Sequence, residues 1–485
     1  MKRLGILLVL ISLSAAGCLS VRAGSVEQAS TLERRGQFHE AEQLLRSALV
    51  TTLLAEPERK QLAFELDRLE RIRKDYPFTK DELLAALKKS VRDLTAQEFD
   101  LWLAEGRFDA RAIDGEQRFM VSSVSNLYFR YPELESRRLE PKNRQDYERA
   151  VLAGARAIVK ATAESGKPYA LPKQFRVAMT ATVKSNVVPA GEIIRAWLPI
   201  PREYPFQLGF KIDEASSRVK HLDPGASVVR SVYLEQAAAT NRPAEFKIEY
   251  DYTAYGIRFE VVPEKVRPSD TNDPALKPFL QQAPHVVFTP ELQLLSRQIV
   301  GGETNDFFKA RKFYDWITGN IKYSYALEYS TIRNLSEYCR AKGYGDCGQE
   351  ALLFITLCRL NGIPARWQSG WATMPGGKTI HDWSEIYLAP YGWMPVDPYM
   401  GIWAVRYART LSDAEKQEVR NFYFGGLDPW RMIANSDHNQ TLVPPKNSFR
   451  SDPVDFQRGE LEWGTNNIYF DQFDYELTVR ALGAD

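Results

Sequence analysis

Residues 343–366 read GYGDCGQEALLFITLCRLNGIPAR, and this stretch decides the fold of the second half of the chain. Glycines break the backbone ahead of Asp346, which can cap a helix, and an apolar run continues to Asn361-Gly362, a typical helix end. The pattern predicts a helix that begins at Cys347. A cysteine in that position favours the thiolate, because free N–H groups and the helix dipole stabilise negative charge.

Two segments after this helix are typical of short strands that carry polar residues. Alternation along His381–Leu388 places His381 and Trp383 on one face and Asp382 on the other. The following strand ends at Asp397, and antiparallel pairing would bring that carboxylate beside the imidazole of His381. A thiol, an imidazole and an orienting carboxylate together predict nucleophilic catalysis.

Four motifs in this half of the chain resemble those of the transglutaminase-like superfamily. They are Gly-x-Cys at the start of a helix, Gly362-Ile363-Pro364-Ala365-Arg366, His-x-Trp-x-Glu-x-Tyr from His381, and Gly-Trp-x-Pro-Val-Asp-Pro up to Pro398. The resemblance covers residues 305–400. It implies a papain-like α+β core with Cys347 as nucleophile, His381 as general base and acid, and Asp397 as orienting residue.

The expected chemistry is attack of a thiolate on an amide to form a thioester. Water as the acceptor makes a peptidase or amidase acting on protein, peptide or peptidoglycan stem peptides, which is the favoured interpretation for an exported protein. An amine acceptor makes a cross-linking transglutaminase. A third hypothesis is a surface binding or scaffolding protein built on the same fold, although the intact set of three residues speaks against it.

Three residues near the predicted nucleophile are candidates for substrate contacts. Gly348 has no side chain and could leave one side of Cys347 open to a substrate carbonyl. Trp371 and Trp383 could line a cleft, and packing in the core is the alternative for each of them.

The other cysteines have simpler interpretations. Cys358 stands about 16 Å from Cys347 along the predicted helix, too far for a disulfide, and is expected to be a core residue. Cys339 could be a redox partner of Cys347, but a core position is favoured. Only four cysteines occur in 485 residues, too few for a disulfide scaffold.

The first 23 residues have the pattern of a secretory signal. A positive start precedes the apolar run Leu4–Leu13, which is too short to cross a bilayer. Ser14 to Cys18 is similar to a bacterial lipobox, with Cys18 as the lipidated residue, although Ala15 replaces the usual Leu or Val. The alternative is ordinary cleavage after Ala23. Both predict export to the periplasm or cell surface, with a membrane contact only through the lipid.

Composition divides the remaining chain into four parts. Leu and Ala at helical spacing predict an α-helical region over residues 25–171. Short β-branched segments broken by turns predict a β-sandwich over 172–262, and a charged, Pro-containing stretch at 263–288 is typical of a linker. Residues 289–485 then form the transglutaminase-like domain with a C-terminal strand extension. The predicted fold class is multidomain α+β.

The charge balance and the motifs also limit the ligands. Lys and Arg number 63 against 62 Asp and Glu, a formal net charge of +1, so there is no basic excess to indicate nucleic-acid binding. The spacing of cysteine, histidine and acidic residues fits neither a zinc nor a calcium site. We therefore expect no metal or other cofactor.

Overall fold

The computed structural model describes residues 24–50, 54–141 and 143–483, and the chain forms two compact units that divide after Pro141. The predicted signal segment, with Cys18 and the cleavage site after Ala23, lies outside the described residues. Across the described ranges, no helix has the length and apolarity needed to cross a bilayer.

The first unit contains the predicted N-terminal helices. Its elements are α1 (24–34), α2 (Phe38–Leu49), α3 (Glu56–Asp75), α4 (Lys80–Lys88), α5 (Ala96–Ala104), β1 (Ala110–Ile113), β2 (Glu116–Phe119) and α6 (Ser123–Arg130). The two strands form an antiparallel hairpin. The apolar faces of α4, α5 and α6 meet in one core that includes Leu83, Phe99 and Leu127, as their helical spacing predicts.

The second unit starts with one helix and six strands. They are α7 (Gln145–Ser165), β3 (Tyr169–Val183), β4 (Ile193–Pro199), β5 (Gln207–Ala215), β6 (His221–Leu222), β7 (Ser231–Ala237) and β8 (Ala244–Arg258). Helix α7 packs on β3 and β8, where Ile158 lies against Gly256 and a side chain at the glycine would collide with it. The boundary between the two units, after Pro141, therefore lies well before residue 172, where the sequence composition changes and the sandwich is predicted to begin.

The rest of the second unit mixes helices and strands. It comprises α8 (Pro290–Val300), α9 (Asp306–Asn320), β9 (Lys322–Tyr323), α10 (Leu335–Lys342), β10 (Tyr344–Gly345), α11 (Cys347–Arg359), β11 (Ala365–Ala372), β12 (Thr379–Leu388), β13 (Gly392–Val396), α12 (Pro398–Arg406), α13 (Asp413–Phe422), β14 (Gly426–Leu427), β15 (Arg431–Asn435), β16 (Glu460–Trp463), β17 (Asn466–Ile468) and β18 (Phe473–Leu482).

Two five-stranded sheets form the β-sandwich. One has the order β14-β8-β3-β18 with β5 also paired to β8, and the other has the order β17-β16-β4-β7-β6. Strand β18 pairs along β3, with Phe473 opposite Val183, and β16 pairs with β4. The predicted C-terminal strand extension is therefore part of the sandwich rather than of the domain before it. These strands satisfy backbone groups of β3 and β4 that would otherwise be left unpaired.

Helix α11 is the centre of the part of the second unit that follows residue 289. It packs on β11 and β12 of a four-stranded sheet of order β13-β12-β11-β15, and on α9, α10 and α12. Every residue from Gly348 to Arg359 is buried, as expected for a helix that is apolar on all sides. The register places Gly370 opposite His381 and Ser369 opposite Asp382, so these two polar residues of β12 point to opposite faces of the sheet.

Candidate active site

Cys347 is the first residue of α11, as the sequence predicts. The Asp346 carboxylate accepts the backbone N–H of Gln349 at 3.1 Å, and the Gln349 side chain accepts the Asp346 N–H at 3.3 Å, which makes a capping box. Capping uses the N–H of Gln349 and leaves the N–H of Cys347 without an acceptor inside the helix. The helix start can therefore offer this donor to an incoming oxygen.

Exposure distinguishes Cys347 from the other described cysteines. Cys347 is half-buried, whereas Cys339 and Cys358 are buried, and all three are free thiols. Cys358 lies in the core of the helix layer, and Cys339 has its sulfur near Gly345. Among the described cysteines, Cys347 alone is not fully buried.

His381 on β12 and Asp397, the residue between β13 and α12, form a buried pair. The imidazole Nε2 lies 2.8 Å from Asp397 Oδ2, and both side chains are almost fully enclosed. The other carboxylate oxygen of Asp397 accepts the N–H of Met400 at 3.0 Å, because Asp397 also caps α12. Since Nε2 is taken by the carboxylate, Nδ1 is the ring nitrogen that remains for a thiol proton.

Arg431 forms an ion pair with Asp397, and no sequence motif identifies it as part of the site. Its Nη2 lies 3.1 Å from Asp397 Oδ2, and its Nε lies 3.0 Å from Asp428 Oδ2. Burial by itself would raise the pKa of Asp397, but His381 and Arg431 hold that pKa below its usual range. Burial lowers the pKa of His381, and the attraction of Asp397 only partly opposes it.

The sulfur of Cys347 faces Asp382, the strand neighbour of His381. The S–H donates to Asp382 Oδ2 at 3.4 Å, and the backbone N–H of Asp382 points back at the sulfur. Within the part of the chain that the structure describes, no hydrogen bond joins Cys347 directly to His381. Burial raises the pKa of the Cys347 thiol well above its usual value, and the carboxylates of Asp382 and Asp346 raise it further.

A row of tyrosines runs from the imidazole towards the surface. The ring of Tyr399 lies 5.2 Å from that of His381 and 4.8 Å from that of Tyr323, which lies 5.6 Å from the exposed Tyr325. Burial raises the pKa values of Tyr323 and Tyr399 well above the usual value. The charge of Cys347, which lies beside both rings, raises them further. Tyr323 and Tyr399, called the tyrosine wall below, thus lie beside the Cys347 thiol, and Tyr399 also lies beside the His381 imidazole.

The structure gives Gly348 a different role from the one expected. A side chain at this position would meet the Tyr329 hydroxyl at 2.1 Å, Asp382 Oδ2 at 2.8 Å and the Trp367 ring at 2.9 Å. The space beside Gly348 is therefore filled by the protein itself and is not open to a substrate. The glycine allows α11 to approach the sheet closely.

Both candidate tryptophans are packed in the core. Trp383 is fully buried among Phe206, Leu427 and Ile433. Trp371 belongs to the core of the sandwich, and its Nε1 donates to the carbonyl of Gln457 at 2.9 Å. These contacts account for both rings, so neither lines a cleft beside Cys347.

The described ranges contain no group of three or more histidine, cysteine and acidic side chains arranged to hold a metal ion. The acidic residues near Cys347 instead accept hydrogen bonds from neighbouring amide and hydroxyl donors. The chemistry available at this site is that of a thiol, an imidazole, carboxyl groups and tyrosine hydroxyls.

Residues 293–398 match the family model of the transglutaminase-like superfamily, so this part of the chain is a transglutaminase-like domain. A curated relative, an uncharacterized protein of Haemophilus influenzae, is 24% identical over 193 residues. The match covers 34% of this chain and 52% of the relative, so the chain spans about half the length of that protein.

Solved structures show more distant similarity. A crystal structure named "Putative Cysteine Protease" from Cytophaga hutchinsonii is 15% identical, with a TM-score of 0.41, and the match covers 65% of this chain and 93% of that one. The periplasmic domain of TgpA from Pseudomonas aeruginosa is 13% identical, with a TM-score of 0.27 and coverage of 56% and 95%. At such scores, the roles of single residues rest on the geometry described above.

Proposed function

We propose that the transglutaminase-like domain of this chain is a thiol-dependent enzyme that hydrolyses amide bonds through a thioester. The observation that carries the proposal is the buried hydrogen bond between His381 and Asp397. His381 is next in sequence to Asp382, the residue that contacts the sulfur of Cys347. A buried imidazole held by a carboxylate through one nitrogen is preorganised to exchange a proton through the other.

In the proposed reaction each of these residues has a distinct role. Nδ1 of His381 takes the thiol proton, and the sulfur of Cys347 attacks the amide carbon. The N–H of Cys347 at the start of α11 donates to the oxygen that becomes negative. The C–N bond then breaks and the amine leaves with the proton from His381. Water, deprotonated by the same imidazole, finally attacks the thioester, and the thiol is restored.

The tyrosine wall favours a substrate with a flat or apolar side chain near the cleaved bond. Tyr323 and Tyr399 are half-buried, so each presents part of a ring beside the thiol. Such rings contribute large contact areas without adding charge. A peptide with such a side chain fits this description better than a highly charged polymer.

A labelling experiment tests the proposal. A thiol-directed peptide amide warhead should modify Cys347, and His381→Ala should slow this by at least about tenfold, as expected for loss of a general base. His221→Ala is the matched control, because His221 also pairs with a carboxylate, Asp223 at 3.0 Å, but lies in the sandwich. Equal labelling of wild type and His381→Ala would contradict the enzyme and favour the scaffold hypothesis.

The acceptor is tested with a peptide library and a labelled primary amine. Release of free acid should exceed incorporation of the amine, and the opposite result would indicate a cross-linking enzyme. We also propose export with Cys18 as the lipidated first residue, which rests on the sequence alone. Mass spectrometry of the mature N-terminus should find acylated Cys18, and an unmodified terminus at Gly24 would contradict lipidation.

A further inference from the structure

Asp382 is the polar side chain that touches the reacting sulfur, and the mechanism above does not use it. Its Oδ2 is 3.4 Å from Cys347 Sγ, and its Oδ1 accepts the Gln457 side-chain amide at 2.6 Å. The same amide donates to the carbonyl of His381 at 2.9 Å. Gln457 thus fixes the strand at His381 and at Asp382, the residue that contacts the sulfur.

A second buried carboxyl group, that of Asp455, lies beside Asp382, because it accepts the hydroxyl of Ser369, the residue directly opposite Asp382 in the sheet. Oδ1 of Asp455 accepts three donors, namely the Ser369 hydroxyl, the Asn435 amide at 3.2 Å and the Phe456 N–H at 2.6 Å. Three donors on one oxygen favour negative charge there. A proton held between the two acids is therefore expected to reside mainly on the Asp382 side.

We propose that Asp382 and Asp455 share one proton, and that this proton decides whether Cys347 can ionise. The inference rests on the proposed function in taking Cys347 as the nucleophile. With the proton present, the group beside the sulfur is neutral and tolerates a thiolate. Without it, a carboxylate faces the sulfur at 3.4 Å and opposes ionisation.

The titration behaviour of the pair agrees with this arrangement. Burial raises the pKa of Asp382 well above its usual value, and the neighbouring charge of Asp455 adds to the effect. Burial also raises the pKa of Asp455. Two buried carboxyl groups in contact cannot both ionise readily, so the pair keeps one proton into the neutral range.

Other charged and titratable groups surround the pair, and they come from several elements. They are Asp346, which caps α11, Cys347 on α11, Tyr329 ahead of α10, Asp452 and Arg458 on the segment that carries Asp455, and His381 on β12 itself. Asp346, whose pKa burial raises to about 6, also affects the sulfur. The test therefore changes the pair and leaves Asp346 in place.

The test measures the rate of Cys347 alkylation by iodoacetamide from pH 5 to 9, resolved by mass spectrometry. The wild-type rate should rise with pH while the pair holds its proton, level off as that proton is lost, and rise again only when the thiol ionises in alkali. Asp382→Asn removes the charge and should abolish this plateau, so that it reacts about tenfold faster or more at the alkaline end of the plateau, as for one unit of thiol pKa. Asp455→Asn donates an N–H to Asp382 and should move the start of the plateau to lower pH.

Glu385→Gln is the matched control, since Glu385 is a buried carboxylate of β12 on the opposite face, paired with Arg366 at 2.6 Å. Its profile should follow that of wild type. Identical profiles for wild type, Asp382→Asn and Asp455→Asn would overturn the inference, and either variant suffices if the other does not fold. His381→Ala in the same series reports separately on the proposed function, because it should slow alkylation whether or not the acids share a proton.

Discussion

Arg431 and Asp397 form a buried ion pair, with Nη2 of the arginine 3.1 Å from the carboxylate oxygen that also binds His381. The guanidinium keeps this carboxylate ionised, and its positive charge also opposes protonation of the imidazole. Arg431 therefore influences both partners of the proposed base. A second carboxylate, that of Asp428, balances the extra positive charge.

Replacing Arg431 should change both stability and titration. Arg431→Gln leaves Asp397 buried with less compensation, and breaking such a pair costs about 3–5 kcal/mol of unfolding free energy. The pKa of His381 should rise, because a repelling charge is removed. Urea unfolding and NMR titration of the imidazole measure the two effects. Arg156→Gln, which breaks an exposed pair with Glu418, should change neither, and an unshifted His381 in Arg431→Gln would contradict the account.

The three described cysteines should react at different rates. Iodoacetamide applied to the native protein should modify Cys347 first, because this residue is half-buried while Cys339 and Cys358 are buried. The two buried thiols should become reactive only on unfolding, so their labelling should follow the denaturant transition. Native-state modification of Cys358 at the rate of Cys347 would mean that α11 is not packed as described.

Gly348→Ala should disturb the start of α11. The added methyl group would meet the Tyr329 hydroxyl at 2.1 Å, and overpacking of this kind costs about 1–3 kcal/mol. Labelling of Cys347 should change as well, because Asp382 must also move. Gly319→Ala is the matched control, since this helical glycine on α9 has nothing within 4 Å and should be stabilised slightly by the gain in helix propensity. Equal melting temperatures for the two variants would refute the packing argument.

His285 should make the protein less stable in mild acid. Burial, with a smaller effect of His438, lowers the pKa of His285 from 6.5 to about 4, so the unfolded chain binds a proton there more readily than the folded one. Stability should fall as pH drops from about 6.5 towards 4, by at most about 3 kcal/mol because the ring is only partly enclosed.

His285→Asn should remove this part of the pH dependence. The backbone of His285 has a φ of +65°, a conformation that asparagine adopts more readily than most residues. Unfolding free energies of both proteins at pH 7 and pH 5 give the difference. If wild type and His285→Asn lose the same unfolding free energy between pH 7 and pH 5, this histidine does not titrate as expected.

Much of the site could be predicted from local sequence. The glycines, the capping Asp346 and the apolar run specify α11 and its start at Cys347, because helix caps and periodicity act within a few residues. Alternation along β12 separates His381 from Asp382 in the same way. The transglutaminase-like domain at residues 293–398 follows from these short-range patterns.

The remaining contacts depend on chain segments that are far apart in sequence. Arg431 reaches Asp397 across 34 positions, Asp455 joins Asp382 across 73, and β18 completes the sheet of β3 from the other end of the unit. No local pattern identifies such partners, because a polar residue in a loop has the same sequence pattern whether it faces solvent or a buried acid. The sequence alone thus determined where α11 begins and which residues are proposed to supply the thiol, the imidazole and the carboxylate. Only the tertiary structure decided what charges surround them, because burial and long-range pairing set those charges.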